Sequence, residues 1–290
     1  MDELLRVDDL RVAFPGRGWR ARPTEVLLGV SLAVDRGEVL GLVGESGSGK
    51  TTIGRALLGL VKTSGGTVRF EGEDITHAGA RRRRELGRDI QVVFQDPYSS
   101  LNPARTIGDI LSEPLVVQGA TPRDARARVR GLLEKVGLPR DAEDRLPREF
   151  SGGQRQRVAI ARALAPRPKL IVCDEPVSAL DLSTQALVLK LLIDIQQETG
   201  VAFLFISHDL AVVRHISHRV CVIYQGELVE TGPAATVTSD PRHPYSKRLL
   251  FAAPLADPVA QRHRREERRR LAEQEPLETG TGPTTPRRAP

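Results

Sequence analysis

Residues 44–51, GESGSGKT, constrain the fold of this chain more than any other stretch. They fit the pattern G-x-x-x-x-G-K-[ST], the Walker A motif or P-loop, and directly follow the apolar run at residues 39–43. After the motif, Ile53, Ala56 and Leu57 recur at helical spacing. The motif therefore has the context it requires, a buried strand before it and a helix after it.

The residue types of this stretch suit the binding of phosphate. The glycines let backbone N–H groups curl around an anion, while Lys50 adds a positive charge and Thr51 a hydroxyl that can ligate Mg²⁺. The positive end of the following helix dipole points at the same place. A plain glycine-rich turn would explain the glycines but not the lysine and two threonines. We therefore expect a nucleoside triphosphate here, contacted by Gly44, Ser46, Gly47, Gly49, Lys50, Thr51 and Thr52.

The composition limits the class of protein but does not indicate a function. With 290 residues, 40% hydrophobic and 28% charged, the chain has ample material for a globular core. No apolar run reaches the roughly 18–20 residues that span a bilayer, and the acidic start lacks a signal-peptide pattern. The net charge of +6 is compatible with nucleic acid, with an anionic membrane surface or with a plain arginine-rich composition. Cys173 and Cys221 lie in apolar runs and are expected to be buried free thiols in a reducing cytoplasm.

Two kinds of strand alternate with helical patterns along the chain. Residues 4–14, 26–34 and 67–72 are typical of antiparallel strands, whereas the mostly apolar runs at 90–94, 170–173 and 201–206 are typical of buried parallel strands. Residues 220–224 and 227–230 flank Gln225-Gly226 and predict a hairpin. Strands alternating with helices favour an α/β fold.

From residue 96 to about 150 the pattern becomes helical, which predicts an inserted α-helical subdomain. Thr121, Pro122 and Asp124 form a good helix start, with a threonine cap, proline at the first position and an acid near the start. The predicted fold class is therefore α/β, a P-loop NTPase core with a mostly parallel sheet, an N-terminal antiparallel β subdomain and this helical insertion. Residues 256–290 are charged and then rich in Pro and Thr, and we expect this extension to be partly disordered.

Polar side chains end several of the predicted parallel strands. Gln95 follows one, Asp174 and Glu175 follow the next, and His208 follows the third. In an open α/β sheet ligands sit at the carboxyl ends of the strands, so these groups can meet the P-loop at one site. Asp174 suits a Mg²⁺ ligand, together with Thr51 and Gln95, and Glu175 suits the group that polarises an attacking water. Each residue alone has a plain structural explanation, and their joint occurrence favours a site.

Residues 150–164, FSGGQRQRVAIARAL, open a helix and resemble the signature of ATP-binding-cassette ATPases. Phe150 stands where that family most often has Leu. The order of P-loop, Gln95, signature, Asp174-Glu175 and His208 also resembles the family throughout. The resemblance covers about residues 4–255, and implies an ABC nucleotide-binding domain at residues 1–255 that binds and hydrolyses ATP with Mg²⁺.

The resemblance implies a role for each matching residue. Two cassettes close head to tail, so that each signature contacts the γ-phosphate bound by the other cassette. The residues that would face the partner's nucleotide are Ser151, Gly153 and Gln154, with Asp181 lining the seam between cassettes. Glu175 would be the general base, and His208 would hold the γ-phosphate and the water.

An aromatic side chain near the N-terminus stacks on adenine in that family. Phe14 occupies the corresponding place here, and Trp19 in the following loop is an alternative.

Two further stretches resemble a subgroup, the ATPases of oligopeptide, dipeptide and nickel importers. They are residues 94–103, FQDPYSSLNP, and residues 243–247, HPYSK. Some members of this subgroup bind an iron–sulfur cluster through cysteines near the C-terminus. This chain has no cysteine after Cys221, so no such cluster is expected.

The resemblance thus predicts the ATPase subunit of a peptide importer, peripheral on the cytoplasmic face of the membrane. Its expected partners are a second ABC ATPase subunit, either a paralogue or a second copy, two transmembrane permease subunits and, indirectly, an extracytoplasmic solute-binding protein. The alternative is a soluble cassette ATPase acting on DNA or ribosomes, supported only by the positive charge and the arginine-rich segment at 262–270. A P-loop kinase would leave the signature at Ser151 unexplained. No nucleic-acid partner is expected.

Overall fold

The computed structural model describes residues 2–16 and 22–252. None of the helices in these ranges combines the length and apolarity needed to cross a membrane. The strands of the described ranges, in chain order, are β1 (Glu3–Phe14), β2 (Thr24–Asp35), β3 (Val39–Val43), β4 (Gly65–Phe70), β5 (Glu73–Asp74), β6 (Ile90–Val93), β7 (Leu170–Asp174), β8 (Ala202–Ser207), β9 (Arg219–Tyr224) and β10 (Glu227–Pro233).

The helices of the same ranges are α1 (Lys50–Leu57), α2 (Ala80–Asp89), α3 (Pro97–Ser100), α4 (Ile107–Val117), α5 (Pro122–Lys135), α6 (Gly152–Leu164), α7 (Leu182–Thr199), α8 (Leu210–Ile216), α9 (Ala234–Val237) and α10 (Pro244–Ala252). Two short 3-10 turns, Arg140–Asp144 and Pro147–Glu149, lie between α5 and α6.

The larger sheet has the order β10-β9-β3-β8-β7-β6. Its strands run parallel except for β10, which returns antiparallel beside β9 through a hairpin. The mostly parallel α/β core and the hairpin predicted from the sequence are therefore confirmed. Because β3, β8, β7 and β6 are parallel neighbours, their carboxyl ends lie along one edge of the sheet, where the predicted site residues follow.

The smaller sheet is antiparallel and has the order β2-β1-β4-β5. It confirms the predicted N-terminal antiparallel subdomain. The structure corrects one boundary: residues 71–72, which the sequence assigned to the third strand, form a turn after β4, with a positive φ of 51° at Glu71 and 80° at Gly72. This turn leads into β5, a strand that the sequence did not predict.

Two apolar clusters cover the two faces of the larger sheet. Side chains alternate in direction along a strand, so Leu40 and Leu42 point to one face while Val39 and Val43 point to the other. The first face packs against α1 and the antiparallel sheet. The second face packs against α6, α7, α8 and the helices of the insertion. The sheet is thus buried on both sides, and both cysteines of the described ranges are free and buried, as predicted.

The insertion contains α3, α4, α5 and the two 3-10 turns. Its predicted helix start is confirmed: the Thr121 side chain caps α5 by accepting a bond from Asp124 N at 3.2 Å, with Pro122 in the first turn. Apolar residues of α4 and α5 belong to the same continuous cluster as α6 and β7. The insertion therefore extends the core of the second face.

Some sequence expectations fall outside the described residues. They concern Trp19 and the extension at 256–290.

Candidate functional site

The loop between β3 and α1 is the Walker A stretch, and its backbone conformation explains its glycines. Gly49 caps α1 with a φ of +107°, a left-handed conformation that L side chains rarely adopt. A Cβ at this position would also stand 2.7 Å from Leu27 Cδ2. The loop therefore curls tightly over the start of α1, which is the positive end of that helix.

Lys50 is folded back onto this loop. Its Nζ donates to the carbonyl oxygens of Gly44 and Glu45, both at 2.8 Å, and the residue is 4% exposed. Burial lowers the pKa of Lys50, while the carboxylates of Glu175 and Asp174 oppose this shift. The ammonium group is therefore held beside the loop, close to where a phosphate would bind.

Thr51 and Asp174 meet across the sheet from positions 123 residues apart. The Thr51 hydroxyl donates to Asp174 Oδ1 at 3.0 Å. Burial raises the pKa of Asp174, and the bond from Thr51 lowers it. A hydroxyl and a carboxylate oxygen at this distance are the oxygen ligands that Mg²⁺ prefers, so the donor set fits that ion.

Glu175 and His208 form a second polar pair at the same edge. Glu175 Oε2 lies 3.1 Å from His208 Nδ1, and the Glu175 side chain is 15% exposed against 51% for His208. Glu175 has a φ of +48°, an unusual value for a residue other than glycine, and its N–H donates to Ile206 O at 3.0 Å. A backbone held in a rare conformation is typical of a side chain that must point to a definite place.

These groups surround a polar cleft of about 400 Å³. The residues that line it are Phe14, Val26, Ser46, Gly47, Gly49, Lys50, Thr51, Thr52, Gln95 and Glu175. Asp174 and His208 join it through their bonds to Thr51 and Glu175. Of the loop residues predicted to contact nucleotide, Gly44 does not line the cleft and instead accepts the bond from Lys50.

The signature stretch begins α6. Ser151 Oγ accepts a bond from Gln154 N at 3.3 Å, and Gln154 Oε1 accepts one from Ser151 N at 2.9 Å, which together form a capping box. Gly153 presses on α7, because a Cβ there would stand 2.2 Å from Thr184 Cγ2. The signature is therefore a capped helix N-terminus seated closely on α7.

Asp181 is the N-cap of α7. Its carboxylate accepts bonds from Thr184 N at 3.0 Å and Thr184 Oγ1 at 2.7 Å. Bonds from the Ser183 hydroxyl and from Thr184 hold the pKa of Asp181 well below its usual range. Thr184 thus links Asp181 to Gly153, and the starts of α6 and α7 form one unit.

Ser151, Gly153, Gln154 and Asp181 do not line the cleft. The structure brings together the loop, Gln95, Asp174, Glu175, His208 and Phe14. The starts of α6 and α7, called the signature unit here, do not line this cleft. The cleft can hold a polyphosphate, a metal ion and a water activated by a carboxylate. The signature unit presents the positive end of a helix that does not line the cleft of the same chain.

The structure adds residues that sequence reasoning did not assign to the site. Val26 lines the cleft, the Gly226 N–H of the hairpin donates to Ser48 O at 3.0 Å, and the Tyr245 hydroxyl accepts a bond from Glu45 N at 2.8 Å. The HPYSK stretch singled out Tyr245 as a subgroup feature, but nothing local indicated a contact with the loop. No sequence pattern assigned Val26 or Gly226 to the site.

The family whose model matches this chain is described as "ABC transporter", and the match covers residues 27–178. A glutathione import ATP-binding protein, GsiA, of Escherichia coli (strain K12) is 51% identical over 269 residues, which are 91% of this chain and 43% of that protein. Its counterpart of the same name in Shigella dysenteriae serotype 1 (strain Sd197) is 55% identical over 237 residues, 81% of this chain and 38% of that protein.

Two solved structures are similar in fold. The structure of cbiO1 from Clostridium perfringens, part of the ABC transporter complex cbiONQ, aligns with a TM-score of 0.73 and 29% identity over 83% of this chain and 92% of that chain. The ATP-binding cassette MJ0796, in a dimeric post-hydrolysis state bound to ADP and Pi, aligns with a TM-score of 0.72 and 28% identity over 80% of this chain and 99% of that one.

The curated relatives and the solved structures differ in how much of their own length this chain matches. The chain spans less than half of the length of the curated relatives it matches, at 43% and 38%. It spans nearly all of the solved cassettes, at 92% and 99%. The matched unit is therefore a single cassette.

Proposed function

Because this chain belongs to the ABC transporter family, we propose that it is an ATP-hydrolysing subunit that powers an importer of small peptides. ATP would drive the closure of a pair of cassettes against a permease. The observation that carries this proposal is the cleft, where Lys50, the Thr51–Asp174 pair and the Glu175–His208 pair converge at one sheet edge. Transfer of a phosphoryl group to water needs positioning and charge neutralisation, and these residues supply both.

Each residue of the cleft would have a definite part. The loop N–H groups and Lys50 would hold the β- and γ-phosphates, and Lys50 would exchange its carbonyl partners for phosphate oxygens. Glu175 would accept a proton from the attacking water, and His208 would keep that carboxylate and the γ-phosphate in place. The 3.1 Å contact between the two side chains supports this division.

Thr51, Asp174 and Gln95 would hold Mg²⁺. When bound, the ion would neutralise charge on the β- and γ-phosphates. Gln95, two residues after β6, lines the cleft. The oxygen donors of these three side chains match the ligand preference of Mg²⁺.

The signature unit would complete the site of a second cassette. Ser151, Gly153 and Gln154 lie at a helix start that does not line the cleft of the same chain. Asp181 would lie beside them at the seam between the two cassettes. Charge-assisted bonds to a phosphate are each worth about 1.5–3 kcal/mol, so several formed across the seam can drive closure. The dimeric state of the similar MJ0796 cassette supports this arrangement.

We expect that Phe14→Ala weakens ATP binding by at least about fivefold. Phe14 lines the cleft and is 40% exposed, as a side chain that stacks on a base would be before the base arrives. Stacking of a base on an aromatic ring is worth about 1–3 kcal/mol. The measurement is titration of the full chain with a fluorescent ATP analogue, with Phe14→Tyr as the matched control that keeps a ring. Unchanged affinity in Phe14→Ala, with a loss in Trp19→Ala, would move the adenine contact to Trp19.

The names of the relatives support a proposal for the transported solute, and the resemblance to importer ATPases supports one for the partners. The curated relatives are named for glutathione import, so the substrate proposed here is glutathione or a peptide of similar size. The partners would be two permease subunits, a second cassette of the same or a paralogous sequence, and a solute-binding protein on the other side of the membrane. The chain would then lie on the cytoplasmic face, held there by the permease.

Membrane vesicles test this proposal directly. The chain carrying an affinity tag is expected to copurify with permease subunits and a second cassette from detergent-solubilised membranes. Vesicles containing that assembly are expected to accumulate glutathione or a small peptide only with ATP, and Lys50→Ala in this chain should lower the uptake at least about tenfold. Recovery of the chain with ribosomes or DNA, and without membrane subunits, would contradict the importer.

The alternative, a cassette ATPase acting on DNA or ribosomes, has less support. The relatives and structures described above are named for import or transport, or simply as an ATP-binding cassette, and none for DNA or ribosomes.

A further inference from the structure

Helix α10, the last helix of the described residues, carries a buried tyrosine that reaches the Walker A loop. Tyr245 is 1% exposed, and its hydroxyl accepts a hydrogen bond of 2.8 Å from the backbone N–H of Glu45. The two residues are 200 positions apart in the chain. A side chain from far along the sequence therefore holds the backbone of the loop at its second residue.

The same loop residue also holds Lys50. The Glu45 carbonyl accepts a bond from Lys50 Nζ at 2.8 Å, while its N–H donates to Tyr245. The orientation of the peptide groups around Glu45 is thus defined from both sides. A rotation of this segment would move the carbonyl oxygens that hold the Lys50 ammonium beside the cleft.

Tyr245 is itself firmly placed. Its ring packs against Tyr224, with ring centroids 4.3 Å apart, and its backbone N–H donates to His243 Nδ1 at 3.2 Å. The Glu230 carboxylate accepts bonds from the backbone N–H groups of Arg242 at 2.8 Å and His243 at 3.1 Å, just before α10. Strand β10 therefore anchors the start of α10 and aims the Tyr245 hydroxyl at the loop.

Burial raises the pKa of Tyr245 to about 12. The hydroxyl is therefore neutral at the pH values at which ATP binding is measured.

We propose that Tyr245 is a positioning residue that keeps the Walker A loop in the conformation that accepts ATP. This inference rests on the proposed function, in which residues 44–51 bind the phosphates of ATP. A loop that is already ordered loses less conformational freedom on binding, and so binds more tightly. Tyr245 acts through the loop backbone and contacts no phosphate.

The test is Tyr245→Phe in the full chain, which keeps the ring and its packing but removes the hydroxyl. Titration with a fluorescent ATP analogue and Mg²⁺ is expected to give a Kd about three- to tenfold higher than in the natural chain, the range for one lost hydrogen bond. Amide hydrogen exchange in residues 44–50 is expected to become faster. The matched control is Tyr224→Phe, which removes a hydroxyl from the other ring of the pair; its Kd should stay within about twofold.

A purely structural role predicts a different result. Tyr245→Phe would then lower the melting temperature but leave the Kd and the exchange of residues 44–50 unchanged below the transition, and that outcome would overturn the proposal. If Tyr245→Phe does not fold, Glu230→Ala provides a second test, because it releases the start of α10 and should raise the Kd in the same direction. An unchanged Kd in folded Glu230→Ala would also count against the proposal. Failure of the natural chain to bind ATP at all would refute the proposed function itself.

Discussion

Glu175→Gln is expected to lower ATP hydrolysis by at least about 100-fold while ATP binding stays within about threefold of the natural chain. General-base catalysis by a positioned side chain contributes about 10²–10⁴-fold, and an amide cannot accept the proton. Glutamine has the same shape, can keep a hydrogen bond to His208, which lies 3.1 Å from the carboxylate, and leaves the left-handed backbone at this residue in place. The loop and Lys50, which would bind the phosphates, are untouched.

The measurement combines steady-state release of phosphate by the assembled transporter with nucleotide titration of the full chain. The variant should also trap the closed pair of cassettes, seen as a larger species in size-exclusion chromatography with Mg²⁺ and ATP. Lys50→Ala is the contrasting variant, since it should weaken binding as well as turnover. Hydrolysis by Glu175→Gln within about threefold of the natural rate would remove Glu175 from the role of general base.

Gly153→Ala is expected to lower ATP hydrolysis by about 10- to 100-fold without changing ATP binding by the isolated chain. The added Cβ would stand 2.2 Å from Thr184 Cγ2, so either the start of α6 shifts or the Thr184 side chain rotates and loses its bond to Asp181. Either change would disturb the helix starts that would face the nucleotide of the partner cassette. Loss of one charge-assisted contact, worth about 1.5–3 kcal/mol, gives a change of this size. Binding should be unaffected because Gly153 does not line the cleft.

The neighbouring glycine supplies the matched control. A Cβ at Gly152 would have its nearest neighbour, Leu180 Cδ2, at 3.8 Å, an ordinary contact. Gly152→Ala is therefore expected to keep hydrolysis within a few-fold of the natural rate. The two variants carry the same added methyl group at adjacent positions. Equal activity of both variants, or hydrolysis at full rate by a strictly monomeric chain with Gly153 altered, would contradict a site shared between two cassettes.

Short-range patterns predicted the elements of this fold well. The Thr121 cap depends on contacts within a few residues, and each parallel strand appears as a short apolar run. Both features are visible in the sequence. The Walker A stretch likewise defined its strand, its tight turn and its helix. The residues after the strands were expected to meet at one sheet edge, because parallel neighbours end on the same side.

Most of the misses have one cause, which is distance along the chain. The exception is local: β5 was not predicted and residues 71–72 were assigned to the preceding strand, although β4 and β5 form a tight hairpin in which Phe70 pairs with Glu73. Val26 enters the cleft only because β2 packs beside the loop. The place of Gly153 against Thr184 also depends on how α6 crosses α7, which no local periodicity encodes.

The chemical groups of the site could be read from the sequence: a phosphate-binding loop, a carboxylate pair, a histidine and a capped signature helix, each specified by local sterics and hydrogen bonding. Which of these groups meet depends on the folding of the whole chain. The 2.8 Å bond from Glu45 to Tyr245 joins residues 200 positions apart, and the separation of Ser151 from the cleft follows from packing of whole elements. Side chains distant in sequence become partners only when the sheet and its helices close around a common core, and burial of apolar surface, not any local signal, drives that closure.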